Sequence, residues 1–184
     1  MWASVNYLYV INVIIMNLLT LFIIICIVSY ISIYTKPKKH MEILQSELAT
    51  LKTEFLLEKQ PLIIYDKIVN PMEVIQSTFK YLYTFKIHKT LTANHIYQSN
   101  SRYALIHNPS EEDLTLTLSK KNVKKNHLNL FYTFIGNEFE ESENTIQIIL
   151  KPYNMIAVPY LYMMQCEESL NVYFLNDVFH MVSI

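Results

Sequence analysis

Residues 1–35 contain no charged side chain, and this constrains the rest of the chain more than any other feature. From Val10 to Ile31 there are 22 residues, about 33 Å of helix at a rise of about 1.5 Å per residue. That suits a bilayer core of about 30 Å. Fifteen of the 22 are Val, Ile, Leu or Phe. Each contributes about 0.3–0.6 kcal/mol, so the run gains several kcal/mol on entering a membrane. Trp2, Tyr7 and Tyr9 lie at one end and Tyr30 and Tyr34 at the other, as two membrane interfaces select. A cleavable export signal would start with basic residues, be shorter and end in an Ala-x-Ala-like site. "YISIYTKPKK" provides no such site. The expectation is a permanent single-span anchor over residues 1–35. Asn12 and Asn17 put two amides inside it, to meet another helix or to reach water and head groups.

Charge sets the orientation. Lys36, Lys38 and Lys39 follow the span, and only the terminal amine precedes it. The excess of lysine marks the cytoplasmic side, so the C-terminal part is expected there. In a virus whose inner membrane derives from a host membrane, that side faces the capsid.

Pro37 ends the membrane helix, and a second helix is expected from about His40. Met41, Leu44, Leu48, Leu51 and Phe55 are spaced 3-4-3-4, an a/d seam, with polar residues between them. Residues 36–60 therefore read as a basic juxtamembrane segment and an amphipathic stalk. A seam this short is marginal alone. It serves either a homo-oligomeric stalk or a helix folded onto its own domain.

Residues 61–184 read as the main domain. A short strand opens at 62–66. Asn70, Pro71 and Glu73 start a helix near 71–79, and a strand follows at about 80–89. Beyond residue 100 the period is two. "RYALIHN", "LTLTLS", "LNLFYTFI", "TIQIILK", "NMIAVPYLYMM", "LNVYFL" and "DVFHMVSI" are separated by polar turns. Pro159 inside an apolar run signals an edge or a bend. The fold class expected is mainly β: an N-terminal transmembrane helix and a short amphipathic or coiled-coil helix, then an antiparallel β-sandwich, jelly-roll-like.

Chemistry is harder to find. One glycine, Gly136, is present where about thirteen would be average. Phosphate-binding loops and dinucleotide fingerprints need several glycines close together, so both are excluded, as is the Gly-x-Ser-x-Gly elbow. The six histidines form no His-x-His or His-x-x-x-His pair, so the sequence lacks the metal motif of a cupin barrel; only histidines that converge in space could hold a metal, and no cofactor is expected. His180 alternates with Val178 and Val182 and reads as a core or surface histidine. Cys166 sits beside Glu167 and Glu168, which would raise a thiol pKa. Cys26 lies far away in the apolar run, so no disulfide is expected. The acid groups at 111–113 and 138–143 read as solvated turns.

The one basic run is "KKNVKKN" at 120–126. Lys120, Lys121, Lys124 and Lys125 could hold a phosphate or an acidic partner, or form a solvated hairpin loop. Nucleic acid is not an expected partner. The net charge is −1, and the run holds no aromatic residue and no arginine; the chain's one arginine is Arg102.

Ile, Asn, Lys and Tyr are abundant and share AT-rich codons, which points to an AT-rich genome. With this layout, "QPLIIYDKIVNPMEVIQSTFKYLY" and "LKPYNMIAVPYLYMM" resemble small N-terminally membrane-anchored, virion- or capsid-associated proteins of nucleocytoplasmic large DNA viruses. The resemblance implies a minor structural protein linking an internal membrane to capsid or another virion component. It carries no catalytic residue, and the chain is not expected to be an enzyme. The alternative is a membrane-tethered module that binds a peptide or phospholipid in the host cell. In either case exposed tyrosines and methionines would supply contact area.

Overall fold

Period-two alternation pairs strands, and the C-terminal part of this chain folds where that alternation runs. The structure, a computed structural model, describes residues 2–35, 40–80, 83–120, 129–139 and 144–178. The chain divides into two compact units, Met1–Pro37 and Lys38–Ile184. The first is a single helix, α1 (Trp2–Thr35). Its described side chains lie exposed nearly throughout, Asn12 and Asn17 among them.

The second unit runs β1 (Leu44–Ser46), a 3-10 turn (Leu48–Thr50), α2 (Thr53–Leu57), β2 (Leu62–Ile64), α3 (Pro71–Ser77), β3 (Phe85–Leu91), β4 (Ile96–Ser99) and β5 (Tyr103–His107). It continues with β6 (Leu114–Lys120), β7 (Tyr132–Gly136), β8 (Thr145–Leu150), β9 (Met155–Pro159), β10 (Tyr162–Cys166) and β11 (Leu170–Asn176). A six-stranded sheet has the order β1-β2-β9-β5-β11-β3, and a five-stranded sheet the order β7-β4-β10-β6-β8. Without β1, β2 and β7, the orders are β9-β5-β11-β3 and β4-β10-β6-β8. These are the two interlocked Greek keys of a jelly roll. All pairs are antiparallel except β1 with β2.

Two apolar clusters hold this unit together. The first lies between the sheets. Leu114, Leu116, Leu118, Ile148, Leu150 and Met164 of one sheet meet Ala104, Ile106, Ile156, Val158, Val172 and Phe174 of the other. The second covers the far face of the six-stranded sheet, where Val74, Ile75 and Phe79 pack on Leu62, Ile64, Leu105, Met155, Ala157 and Leu175. Each fully buried side chain of this size contributes about 1.5–3 kcal/mol relative to exposure. The six-stranded sheet is thus covered twice, which explains why every residue of β5 and β9 is buried. The five-stranded sheet alternates. On its outer face Gln147 and Ile149 are exposed and Thr115, Thr117 and Gln165 half-buried, while Gln98, Met163 and Ser119 are buried at one end.

The amphipathic stalk is corrected. Residues 41–57 form a short strand, a 3-10 turn and one helical turn. Leu44–Ser46 pairs in parallel with Leu62–Ile64. Of the seam, Met41 packs on the inter-sheet core and Leu44, Leu48, Leu51 and Phe55 on the second cluster. The physical reason is competition. A two-heptad helix is marginal in water, whereas the folded-back segment gains backbone pairing and covers an apolar sheet face. The seam is therefore engaged by its own domain, and the compact unit starts at Lys38 rather than at residue 61.

Elsewhere the strands fall near their expected places. The 80–89 strand is observed as β3 at 85–91. β4 has no counterpart in the sequence reading because all four of its residues are buried and alternation is lost. Pro159 ends β9, and the chain turns at Tyr160–Leu161. The expected 177–184 strand falls almost wholly outside the described residues. Among the described residues, Lys59, Asn94, Tyr153 and Leu161 take positive φ while Gly136 does not. The turns that usually recruit glycine are here made by side-chain-bearing residues.

Candidate functional site

α1 contains the segment Ile11–Tyr30, 20 residues with mean hydropathy 2.8 and no buried residue. It is long and apolar enough to cross a membrane. Thr20 satisfies its hydroxyl inside the helix by donating to the Met16 carbonyl at 2.8 Å, so this polar group needs no outside partner. The topology lysines Lys36, Lys38 and Lys39 lie outside the described residues.

Where the chain enters the jelly roll, one side chain organises it. Gln60 is buried. Its Nε2 donates to the His40 carbonyl at 2.8 Å, and its Oε1 accepts from the Glu42 N–H at 3.1 Å and from the Tyr162 hydroxyl at 2.9 Å. Burial pushes the Tyr162 phenol well above its ordinary pKa, so the hydroxyl stays a donor. Tyr103 donates its hydroxyl to the Leu56 carbonyl. These contacts lock residues 40–60 into the domain. Nothing in "EKQPLII" marked Gln60 for this role, since a lone Gln before a proline carries no periodic signal.

Of the four lysines in the basic run, Lys120 closes β6, and Lys121, Lys124 and Lys125 lie outside the described residues. Lys120 Nζ sits 5.5 Å from the centre of the Tyr162 ring, a cation–π arrangement. Burial, and then the charge of Lys120, hold the Lys59 ammonium below its ordinary pKa. The described part of the run is thus engaged with the jelly roll's own surface.

Arg102 is 8% exposed and ion-paired with Asp177. Its backbone N–H donates to Asn176 Oδ1 at 2.8 Å, and Asn176 Nδ2 donates to the Leu130 carbonyl at 2.9 Å. Asn100 Nδ2 donates to the Asn129 carbonyl and to Thr133 Oγ1. The one arginine therefore fastens the β4–β5 connection to the end of β11. A buried ion pair positions elements more than it adds stability.

Among the described residues, no group of three or more His, Cys, Asp or Glu is placed to hold a metal ion. The described histidines are spread over separate environments. His107 is buried, and its Nε2–H donates to the Ile68 carbonyl at 2.7 Å. Burial lowers its pKa, partly opposed by that hydrogen bond. His88 stacks on Tyr173 at 4.6 Å, and His95 lies 5.0 Å from Phe134. His127 and His180 lie outside the described residues. Cys166 is buried, and its thiol is pushed up first by burial and only then by Glu168 and Glu167. Glu111, Glu112 and Asp113 sit exposed in a turn that Asn108 organises by donating to the Glu112 carbonyl at 2.8 Å. Residues 140–143 of the second acid group lie outside the described residues.

One open cleft, about 810 Å³, is lined by Leu48, residues 66–70 and the exposed side of α3. Its polar groups are used locally. Asp66 Oδ1 accepts from the Lys67 N–H, Asn70 caps α3 through the Met72 N–H, and Asn70 Nδ2 donates to Glu73.

The expected tyrosine and methionine contact surface is corrected. Tyr97, Tyr103, Tyr162, Met155, Met163 and Met164 are buried, because they fill the two clusters and the strands around them. The exposed large apolar side chains of the jelly roll include Tyr65, Val69, Phe85, Phe134, Ile135 and Ile149.

No protein-family model matches the chain, and no curated protein sequence does. Among solved structures it is similar to RmlC from Streptococcus suis in complex with dTDP-D-xylose, at 12% identity and a TM-score of 0.31, over 64% of this chain and 61% of that chain. The chain thus spans about three-fifths of that structure's length. The jelly-roll assignment rests on strand order and not on this likeness.

Proposed function

We propose that the chain is a membrane-anchored structural protein, a minor component of a large DNA virus particle, whose jelly roll links an internal membrane to capsid or to another virion component. The observation that carries this reading is one apolar segment, Ile11–Tyr30, long enough to span a bilayer, on a chain whose other unit is a jelly roll. The jelly roll offers contact surface, and its described residues gather no metal-binding group. Lys36, Lys38 and Lys39 give the orientation, with the jelly roll on the cytoplasmic side and hence toward the capsid.

The test is chemical cross-linking in purified particles, followed by alkaline extraction of their membranes. The expected result is that the chain copurifies with particles, stays with the membrane after extraction, and cross-links to a capsid or other virion protein. Absence from purified particles removes the virion role. Extraction into the soluble fraction removes the anchor.

A further inference from the structure

A sheet edge presents unpaired backbone donors and acceptors, and proteins usually blunt such edges with charge, brevity or irregular register. Three of the four edges here are blunted. β3 carries Lys86, His88 and Lys89. β1 is three residues long. β7 pairs with β4 through a register shift at Ile96/Tyr97. β8 is different. Thr145–Leu150 spans six residues, has no charge and no proline, and pairs with β6 without irregularity. Among the described residues, no strand pairs with its outer edge. Ile149, 62% exposed, stands on the open face beside Thr145 and Gln147.

We propose that the β8 edge pairs antiparallel with β8 of a second copy of this chain, joining two five-stranded sheets into one continuous sheet. The occupant is a second copy because the strand is complementary to itself. Opposed residues in an antiparallel pair share a face. With Gln147 opposite Gln147, Thr145 of each copy faces Ile149 of the other, and the two amides hydrogen-bond across the axis. Charge agrees with this register. The sequence before β8 is acidic, with Glu138, Glu140, Glu141 and Glu143, and Lys151 follows it. The sequence flanks of two antiparallel copies are therefore opposite in sign. The contact is isologous, so it closes at a dimer. It is independent of the virion role and does not use the 41–55 seam.

The experiment uses the full chain in detergent micelles, with Cys26 and Cys166 replaced by serine. Opposed residues place their Cα atoms about 4.5–5.5 Å apart, within disulfide reach. Gln147→Cys is expected to form a covalent dimer on mild oxidation, and Ile149→Cys alone is not. Mixing Thr145→Cys with Ile149→Cys restores the cross-link. Sedimentation equilibrium of the chain without added cysteines is expected to give a dimer. Ile149→Lys, at an exposed position, is expected to halve that mass while leaving the circular dichroism spectrum unchanged. A parent chain that sediments as a monomer overturns the proposal. So does a dimer that Ile149→Lys leaves intact, which would place the contact elsewhere.

Discussion

The two sheets of the jelly roll differ in how many of their faces are covered. The six-stranded sheet packs on its neighbour through Ala104, Ile106, Ile156 and Val158, and packs under α3 through Leu105, Met155 and Ala157. The five-stranded sheet faces the core with Leu114, Leu116 and Leu118, but its opposite face leaves Gln147 and Ile149 open. The difference separates two jobs. A sheet covered twice is the structural spine, where any loss of volume is felt. A sheet covered once keeps a face and an edge free for contact. The entry segment is anchored to both sheets, through Tyr103 on one and Tyr162 on the other. Tyr103, which holds the entry segment through Leu56, belongs to the spine.

The hardest test of the doubly covered sheet is Phe79→Ala. Phe79 is fully buried and meets Tyr103 edge-to-face at 5.9 Å. Removing a buried phenyl costs about 3–5 kcal/mol, from lost transfer energy and the cavity left behind. Leu116→Ala, between the sheets, is expected to cost about 2–5 kcal/mol. Urea unfolding of the full chain in micelles, followed by circular dichroism, measures both. If Phe79→Ala costs under about 1 kcal/mol while Leu116→Ala costs its expected amount, the second cluster is not a core and the comparison fails.

The same difference decides what could be read from the sequence. "LTLTLS" and "TIQIIL" alternate because one face of their sheet is wet, and period two located both strands. "YALIH" and "MIAVP" were read as strands with the same period, but both their faces are buried, and nothing in them indicated a second layer. Leu44, Leu48, Leu51 and Phe55 were legible as a face that must be buried, but the 3-4 spacing could not say against what. The structure shows that face closing over the six-stranded sheet, which is a long-range contact that local periodicity does not encode. α1 was legible as one long apolar helix, because residues 1–35 hold no charge, no glycine and no proline. Gln60 and the Arg102–Asp177 pair were not, because single polar side chains acquire their partners only once distant strands meet.

Gln60→Ala probes the junction between the entry segment and the five-stranded sheet, made through Tyr162 of β10. It leaves the Glu42 N–H and the Tyr162 hydroxyl without the acceptor they now share. An unsatisfied buried polar group costs about 1–3 kcal/mol. Limited proteolysis is expected to cut residues 40–60 sooner in the variant than in the parent chain. Unchanged proteolysis would mean that the β1 pairing, the packed seam and the Tyr103–Leu56 contact hold the segment without Gln60.

Below this in size is a pH effect from His107. Its folded pKa lies below the ordinary 6.5, because burial on the doubly covered sheet disfavours the charged ring. The stability it allows is full above about pH 6.5, where both folded and unfolded states are neutral. It falls as pH drops through that value toward the folded pKa, because the unfolded chain takes up the proton first. One group contributes at most about 1.4 kcal/mol per pH unit. Denaturant midpoints measured between about pH 7.5 and 5 are expected to fall with acid in the parent chain and to fall less in His107→Gln. Equal slopes would mean that other groups carry the acid sensitivity.

The smallest effect expected is Thr117→Val, and its size defines the open face. Thr117 stands mid-strand in β6, between Gln147 of β8 and Gln165 of β10, half-buried and away from the inter-sheet core. Valine keeps the β-branched shape that suits a pleated surface and replaces only a hydroxyl that water can reach. A surface substitution of this kind stays within about 0.5 kcal/mol. Ala157→Leu, on the outer face of the other sheet, adds volume to a site that is fully buried under the helical layer. It is expected to cost about 1–3 kcal/mol by overpacking. The pair reads the covering of the two sheets directly from stability. If Thr117→Val costs as much as Ala157→Leu, the outer face of the five-stranded sheet is packed as tightly as the spine, and its free surface for a partner shrinks to the edge at β8.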